Sequence, residues 1–289
     1  MKPAAFDYLA AKTVEEAVAA LADRDAKIIA GGQSLVPMMN FRLVQPELLV
    51  DINGIGGLSD IVETERGLRF GALVRHVQSQ ESELAARYFP IISEAMNHVA
   101  HVAIRNRGTV GGSLCHADAA AEWPLLVTLL DGELEIYGAE GRRTVSPPEF
   151  FIAPLVTSLE ETEILTSVHL PFLPAGTGTA FDEFSQRAGD FAIVSAGAVL
   201  VLEEGRITEA RLAIGGVGDT PLRAHAAEQY LLGKTPEPEI LAAAADLTTE
   251  GVEPNTDLHA SSEFRLHLMT VLAERVLLKA TERAEAAAG

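Results

Sequence analysis

Two short glycine-bearing segments constrain this chain more than any other feature: Ala30-Gly31-Gly32-Gln33-Ser34 and, about 80 residues later, Thr109-Val110-Gly111-Gly112-Ser113. Adjacent glycines carry no Cβ, so consecutive backbone N–H groups can turn toward one point and approach an anion closely. A diphosphate, with two neighbouring charged groups, suits two such segments that meet. Each also brings hydroxyls near its glycines: Ser34 in the first, Thr109 and Ser113 in the second. Either segment alone reads more readily as a tight turn, since Gly-Gly pairs are common turn material. Neither has the G-x-G-x-x-G spacing, and no G-x-x-x-x-G-K-[ST] occurs, which disfavours an ordinary nicotinamide-binding Rossmann domain or a nucleotide triphosphatase.

The surrounding pattern predicts α+β rather than a doubly wound sheet, because strands come first, helices last, and βαβ repeats are few. Thr13 and Glu16 predict a capping box opening a short amphipathic helix to about residue 22. Residues 27–30, 48–52 and 67–73 read as strands, 83–99 as a helix made irregular by Pro90, and 123–130 as a short apolar helix. Strands at 133–145 pair across a glycine turn, and another follows at 163–170. Pro and Gly cluster over 171–178, the expected domain boundary. Beyond it, apolar runs at 191–202 and 206–214 predict a β-hairpin, and a helix is expected over 262–284. Thr220-Pro221 and Thr235-Pro236 each read as an N-cap followed by a first-turn proline.

Composition removes several classes of function. The net charge of −19 repels phosphate backbones and no Lys/Arg run exists, so no nucleic acid is expected. The uncharged stretch 28–41 falls short of the roughly 20 residues a membrane helix needs, and no signal-peptide core appears at MKPAAFDYLA. A single cysteine, Cys115, excludes an internal disulfide and an all-cysteine cluster, which fits a cytoplasmic setting. His98 and His101, or His116 and Asp118, lack a third ligand at a convincing spacing, so no metal site is expected. Cys115 reads as a small buried hydrophobe and Trp123 as packing. Arg187 and Asp190 read either as a surface ion pair or as part of a gating loop.

The segments IIAGGQSLVPMMNFRLVQPELLVDI (28–52) and RGTVGGSLCHADAAAEWP (107–124) resemble the FAD-binding medium subunit of molybdenum hydroxylases, the carbon monoxide dehydrogenase and xanthine dehydrogenase relatives. Three further blocks, at 181–200, 215–233 and 257–277, continue the likeness in order along nearly the whole chain. The resemblance implies a p-cresol methylhydroxylase-type fold. Its two FAD-binding α+β subdomains would span 1–56 and 57–175, with a C-terminal α+β domain of small antiparallel sheet and helices at 176–289.

It also implies the cofactor and its contacts. The FAD diphosphate would lie between Ile28, Ile29, Ala30, Gly31, Gly32, Gln33, Ser34 and Leu35 on one side and Thr109, Val110, Gly111, Gly112 and Ser113 on the other. Glu122, with Asp118 as the neighbouring alternative, matches an acidic residue that bonds the cofactor. Leu165 matches a packing residue, and Asp190 and Phe191 match the segment beside the isoalloxazine. Relatives often carry Tyr where Phe191 stands; Phe can shield the ring but donates no hydrogen bond.

The implied role is electron relay. A large molybdenum–pterin subunit hydroxylates substrate, 2Fe–2S clusters in a small subunit pass electrons to this FAD, and an external acceptor removes them. The expected assembly is a dimer of heterotrimers. A cofactor that carries the chemistry leaves no need for a catalytic side chain, and neither G-x-S-x-G nor H-E-x-x-H is present. A stand-alone flavin-dependent oxidoreductase of the same architecture is the competing reading.

Overall fold

The Thr13 hydroxyl accepts the Glu16 N–H at 3.1 Å and starts helix α1 (Val14–Asp23), which turns Ala17, Val18 and Leu21 inward. The Glu16 carboxylate reaches back to the Lys12 N–H at 2.7 Å instead of to Thr13, so the predicted box closes one residue early. Helix α1 joins strands β1 (Asp7–Ala10) and β2 (Ala26–Ile29), and α2 (Leu35–Asn40) leads to β3 (Leu48–Asp51). These strands form a parallel sheet in the order β1-β3-β2. Strand β1 was not anticipated, because its side chains are mostly exposed and it carries no apolar alternation. The computed structural model describes residues 2–288 of the chain.

A second sheet begins with β4 (Ile61–Glu63) and β5 (Gly67–Gly71). A run of short helices follows: α3 (His76–Glu81), α4 (Glu83–Tyr88), α5 (Pro90–His98), α6 (Val102–Arg105), α7 (Val110–His116) and α8 (Glu122–Leu129). The helix expected over 83–99 is two helices meeting at Phe89, because Pro90 has no N–H to continue the first and instead opens the second. The second glycine segment is likewise not a loop: it is the first turn of α7.

The sheet is completed by β6 (Glu133–Gly138), β7 (Gly141–Val145) and, after α9 (Pro147–Phe150), β8 (Phe151–Ala153) and β9 (Val156–Thr157), by β10 (Ile164–Pro171). Its order is β4-β5-β10-β6-β7, while β8 and β9 pair separately. Trp123, fully buried, meets Phe70 edge-on at 5.5 Å in the core beneath this sheet.

The third sheet runs sequentially through β11 (Thr177–Ser185), β12 (Ala192–Glu203), β13 (Arg206–Gly215) and β14 (Leu222–Arg223). Glu204 and Gly205, both at positive φ (50° and 74°), make the two-residue turn of the β12–β13 hairpin. Helices α10 (His225–Leu231) and α11 (Pro238–Asp246) follow, and α12 (Ser262–Ala288) packs across β11 and β12. On α12, Leu268, Leu272 and Val276 are buried, whereas Phe264 is exposed.

Thr220 and Thr235 cap nothing. Helix α10 starts after Ala224 and α11 after Glu237. Leu222 and Arg223 instead pair with Ile214 and Ala213, and the Arg223 guanidinium bonds Glu228 and Asp131, so a tertiary strand displaced the local signal. Among the described residues, no helix is long and apolar enough to cross a membrane.

Candidate functional site: a cleft between two glycine segments

Strand β2 delivers the first glycine segment to the end of its sheet. There Ile29 C=O accepts the Ile52 N–H at 3.2 Å, and Asn53 Nδ2 donates to Ala30 C=O at 2.9 Å. Gly32 takes φ +71°, a left-handed conformation that turns the chain into α2. Among the described residues, the N–H groups of Gly31, Gly32, Gln33, Ser34 and Leu35 have no hydrogen-bond partner. Successive unpaired amides around a left-handed glycine form a concave anion-binding nest.

The second segment is built differently. Thr109 caps α7, its hydroxyl accepting the Gly112 N–H at 3.0 Å. Val110 N–H donates to Val74 C=O at 2.9 Å, Gly111 N–H to Ala72 C=O at 2.8 Å, and Ser113 N–H to Thr109 C=O at 3.0 Å. The amides expected here to reach an anion are therefore already engaged. What this segment presents is the Cβ-free surface of Gly112, which is exposed, and the Ser113 hydroxyl.

The two segments meet. A Cβ on Gly31 would lie 2.9 Å from Gly108 Cα, so the backbones are in contact. Arg75 braces the junction: one guanidinium nitrogen donates to Arg107 C=O, and the other to Asn53 Oδ1 at 2.6 Å. Beside it lies a cleft of about 590 Å³. Ile28, Ala30, Gly31, Gly32, Gln33, Ser34, Leu35, Thr109, Gly111, Gly112, Ser113, Glu122, Leu165, Asp190 and Phe191 all line it.

Three predicted contacts do not. Ile29 packs its side chain under Gly32, Val110 is wholly buried in the core, and the Asp118 carboxylate accepts the Ala120 N–H at 2.9 Å in the turn before α8. Arg187 and Asp190 form no ion pair; Asp190 N–H donates to Arg187 C=O at 3.0 Å, and Phe191 stands exposed at the cleft edge.

Glu122 opens α8 with its side chain almost buried, and burial, followed by the charges of Glu183 and Asp118, pushes its pKa up to about 8. His76, also in the wall, is held down to about 4 by burial and by Arg105 and Arg75. Cys115 is exposed on the cleft wall rather than hidden as a core hydrophobe. Arg75, Asn53, His76 and Glu183 escaped sequence reasoning. They lie far from both glycine pairs in the chain, and only a hydrogen-bonding Asn just after a buried strand offered a hint.

These residues fit a dinucleotide. The volume falls within the roughly 300–1,000 Å³ of ligand pockets, the amide nest suits a diphosphate, and Leu165, Val99 and Ile104 give an apolar wall for a ring system.

Residues 4–173 match the family described as the FAD binding domain in molybdopterin dehydrogenase, and 179–280 match the CO dehydrogenase flavoprotein C-terminal domain. The chain is 44% identical to the 6-hydroxypseudooxynicotine dehydrogenase complex subunit alpha of Paenarthrobacter nicotinovorans, over 98% of this chain and 97% of that protein. Its identity to the carbon monoxide dehydrogenase medium chain of Hydrogenophaga pseudoflava is 34%, covering 98% of this chain and 99% of the other. The fold superposes on quinoline 2-oxidoreductase from Pseudomonas putida 86 with a TM-score of 0.95 and 42% identity, covering 98% of this chain and 99% of that one. With two glycine segments enclosing one cleft and both family matches in register, the chain belongs to the FAD-binding medium subunits of molybdenum hydroxylases, a family of oxidoreductases of the carbon monoxide dehydrogenase and xanthine dehydrogenase type.

Proposed function

We propose that this chain is the electron-relay subunit of a cytoplasmic complex, a dimer of heterotrimers with a large molybdenum–pterin subunit and a small 2Fe–2S subunit. It receives electrons from the small subunit's clusters and passes them to an external acceptor. The observation that carries this reading is the set of unpartnered N–H groups at 31–35 in the same cleft wall as Gly112 and Ser113. Residues 1–56 and 57–175 hold the cofactor, and 176–289 closes over it.

In this arrangement the amides of 31–35 bind the diphosphate, with their charge unopposed by any competing protein acceptor. Gly112 leaves room for phosphate oxygens, and the Ser113 hydroxyl donates to them. Leu165 and Phe191 pack on the ring system, and their apolar surfaces exclude water from it. Bound FAD supplies one- and two-electron chemistry, so the protein's own work is binding, orientation and local charge. The hydroxylated substrate is chosen in another polypeptide, and nothing in this cleft selects it.

The test is direct. Chain refolded or expressed with FAD should carry one flavin per polypeptide by absorbance, and the tagged chain should co-purify with two other subunits from its native host. A chain that remains colourless with excess FAD, or that purifies alone with full catalytic turnover, overturns the reading.

A further inference from the structure

Helix α5 ends at His98, and the chain bends sharply before α6 begins at Val102. At the bend Ala100 takes φ +39°, a left-handed backbone that a residue with a Cβ avoids. Such a conformation persists only where its surroundings fix it. Arg105, on α6, supplies that support. Its Nη1 donates to Val99 C=O at 2.7 Å and to Ala100 C=O at 3.0 Å, and among the described residues no backbone N–H donates to either carbonyl.

The other side of this bend carries a second backbone. Residues 186–191 connect β11 to β12, and Gly189, at φ +87°, lies directly against Ala100. A Cβ on Gly189 would stand 3.0 Å from the Ala100 carbonyl oxygen and 3.2 Å from Ala100 Cα. Earlier on β11, Glu183 Oε1 lies 3.4 Å from His98 Nδ1, and neither Glu183 oxygen has a hydrogen-bond partner among the described residues. Helix α5 and β11 thus run together up to the bend. Val99, Ala100 and Ile104 on one side, and Gly189, Asp190 and Phe191 on the other, line the cofactor cleft.

We propose that Arg105 is a positioning residue for the bound flavin: by fixing the Val99–Ala100 bend it seats the β11–β12 connection and sets how closely Phe191 covers the ring. The inference rests on the FAD reading above and extends it at one end of the same cleft. Three contacts in series carry it: guanidinium to the two carbonyls, Ala100 backbone to Gly189, and Gly189 through Asp190 to Phe191. Without the guanidinium both carbonyls turn to water, and Ala100 relaxes toward an ordinary backbone. Gly189 then loses the surface it rests on. Phe191, itself 58% exposed, has little packing of its own to hold it over the cleft. The amides of 31–35 stand on another element, so the diphosphate nest is left as it was.

The experiment uses the full chain loaded with FAD and reads how far water reaches the ring. Iodide quenching of flavin fluorescence should rise about threefold or more in Arg105→Met as the aromatic cover loosens, and the fine structure of the visible flavin band should smooth. Removing a cation would by itself lower the access of iodide, so a rise reports the ring. The FAD-free variant should bind ADP as the wild type does, because ADP carries the diphosphate but no ring. Arg105→Lys, which keeps a donor, should fall between wild type and Arg105→Met. Phe191→Ala should expose the ring by itself, and adding Arg105→Met to it should change nothing further, since residues acting through one another are not additive. If Arg105→Met fails to fold, Gly189→Ala presses on Ala100 from the opposite side and should expose the ring in the same way. Wild-type quenching in both folded variants, Lys no better than Met, or additive effects in the double variant overturn the assignment. A wild-type chain that holds no FAD instead overturns the functional reading, so the two failures are distinct.

Discussion

Gly31 and Gly108 lie backbone to backbone, with room between them for no side chain: a Cβ on Gly31 would sit 2.9 Å from Gly108 Cα and closer still to Arg107 C=O. This contact joins the first glycine segment to the approach of the second, and both residues line the cleft. Geometry of this kind, more than glycine flexibility, explains why no larger residue serves at position 31.

Gly31→Ala should therefore push the two segments apart. Overpacking of this kind costs about 1–3 kcal/mol, and flavin content should fall well below one per chain. Urea unfolding and flavin absorbance check both; an unchanged midpoint with full flavin would contradict the contact.

Gly112→Val addresses the cleft rather than the junction. Gly112 is exposed, and a Cβ there would crowd only the Thr109 hydroxyl, 2.7 Å away. The variant should lose FAD retention while keeping most of its stability, with at most the ~1 kcal/mol of a disturbed helix cap. Equilibrium dialysis against FAD together with a thermal melt separates the two effects.

Glu122 sets a pH dependence. Its pKa is raised from 4.5 to about 8, so the folded chain favours the protonated form. Between those values the folded state binds more protons than the unfolded state. Stability from this group is complete at low pH and falls as pH rises through the folded pKa, by about 1.4 kcal/mol per pH unit across the interval. In the FAD-free chain, Glu122→Gln should flatten that decline; urea midpoints measured from pH 5 to pH 9 test it, and an unaltered slope removes the assignment.

Arg265 anchors the C-terminal helix. It is buried and donates to Ile193 C=O at 2.6 Å, to Gly216 C=O at 2.8 Å and to Asp257 Oδ2 at 2.7 Å. Arg265→Met should cost about 2–3 kcal/mol, because it strands the Ile193 and Gly216 carbonyls, whereas Asp257 keeps its two backbone N–H bonds and its solvent. A urea midpoint equal to the wild type would show the site to be solvated instead.

What the amino-acid order determined by itself was local. Thr13 capped α1, the Glu204-Gly205 turn closed the β12–β13 hairpin, Pro90 broke a helix in two, and the order of glycine, acidic and aromatic positions identified the family and its FAD. Each of these depends on neighbours within a few residues or on a linear pattern. Tertiary structure decided the rest. Whether the second segment's amides were free depended on Ala72 and Val74, roughly 40 residues earlier, and those carbonyls consumed them. Likewise the brace from Arg75 to Asn53, the pairing that made Leu222 a strand, and the unpaired carboxylate of Glu183 next to His98 arise only when distant stretches pack together. A hydrogen bond or a desolvated charge is a property of two partners in space, and a chain read in order names only one of them at a time.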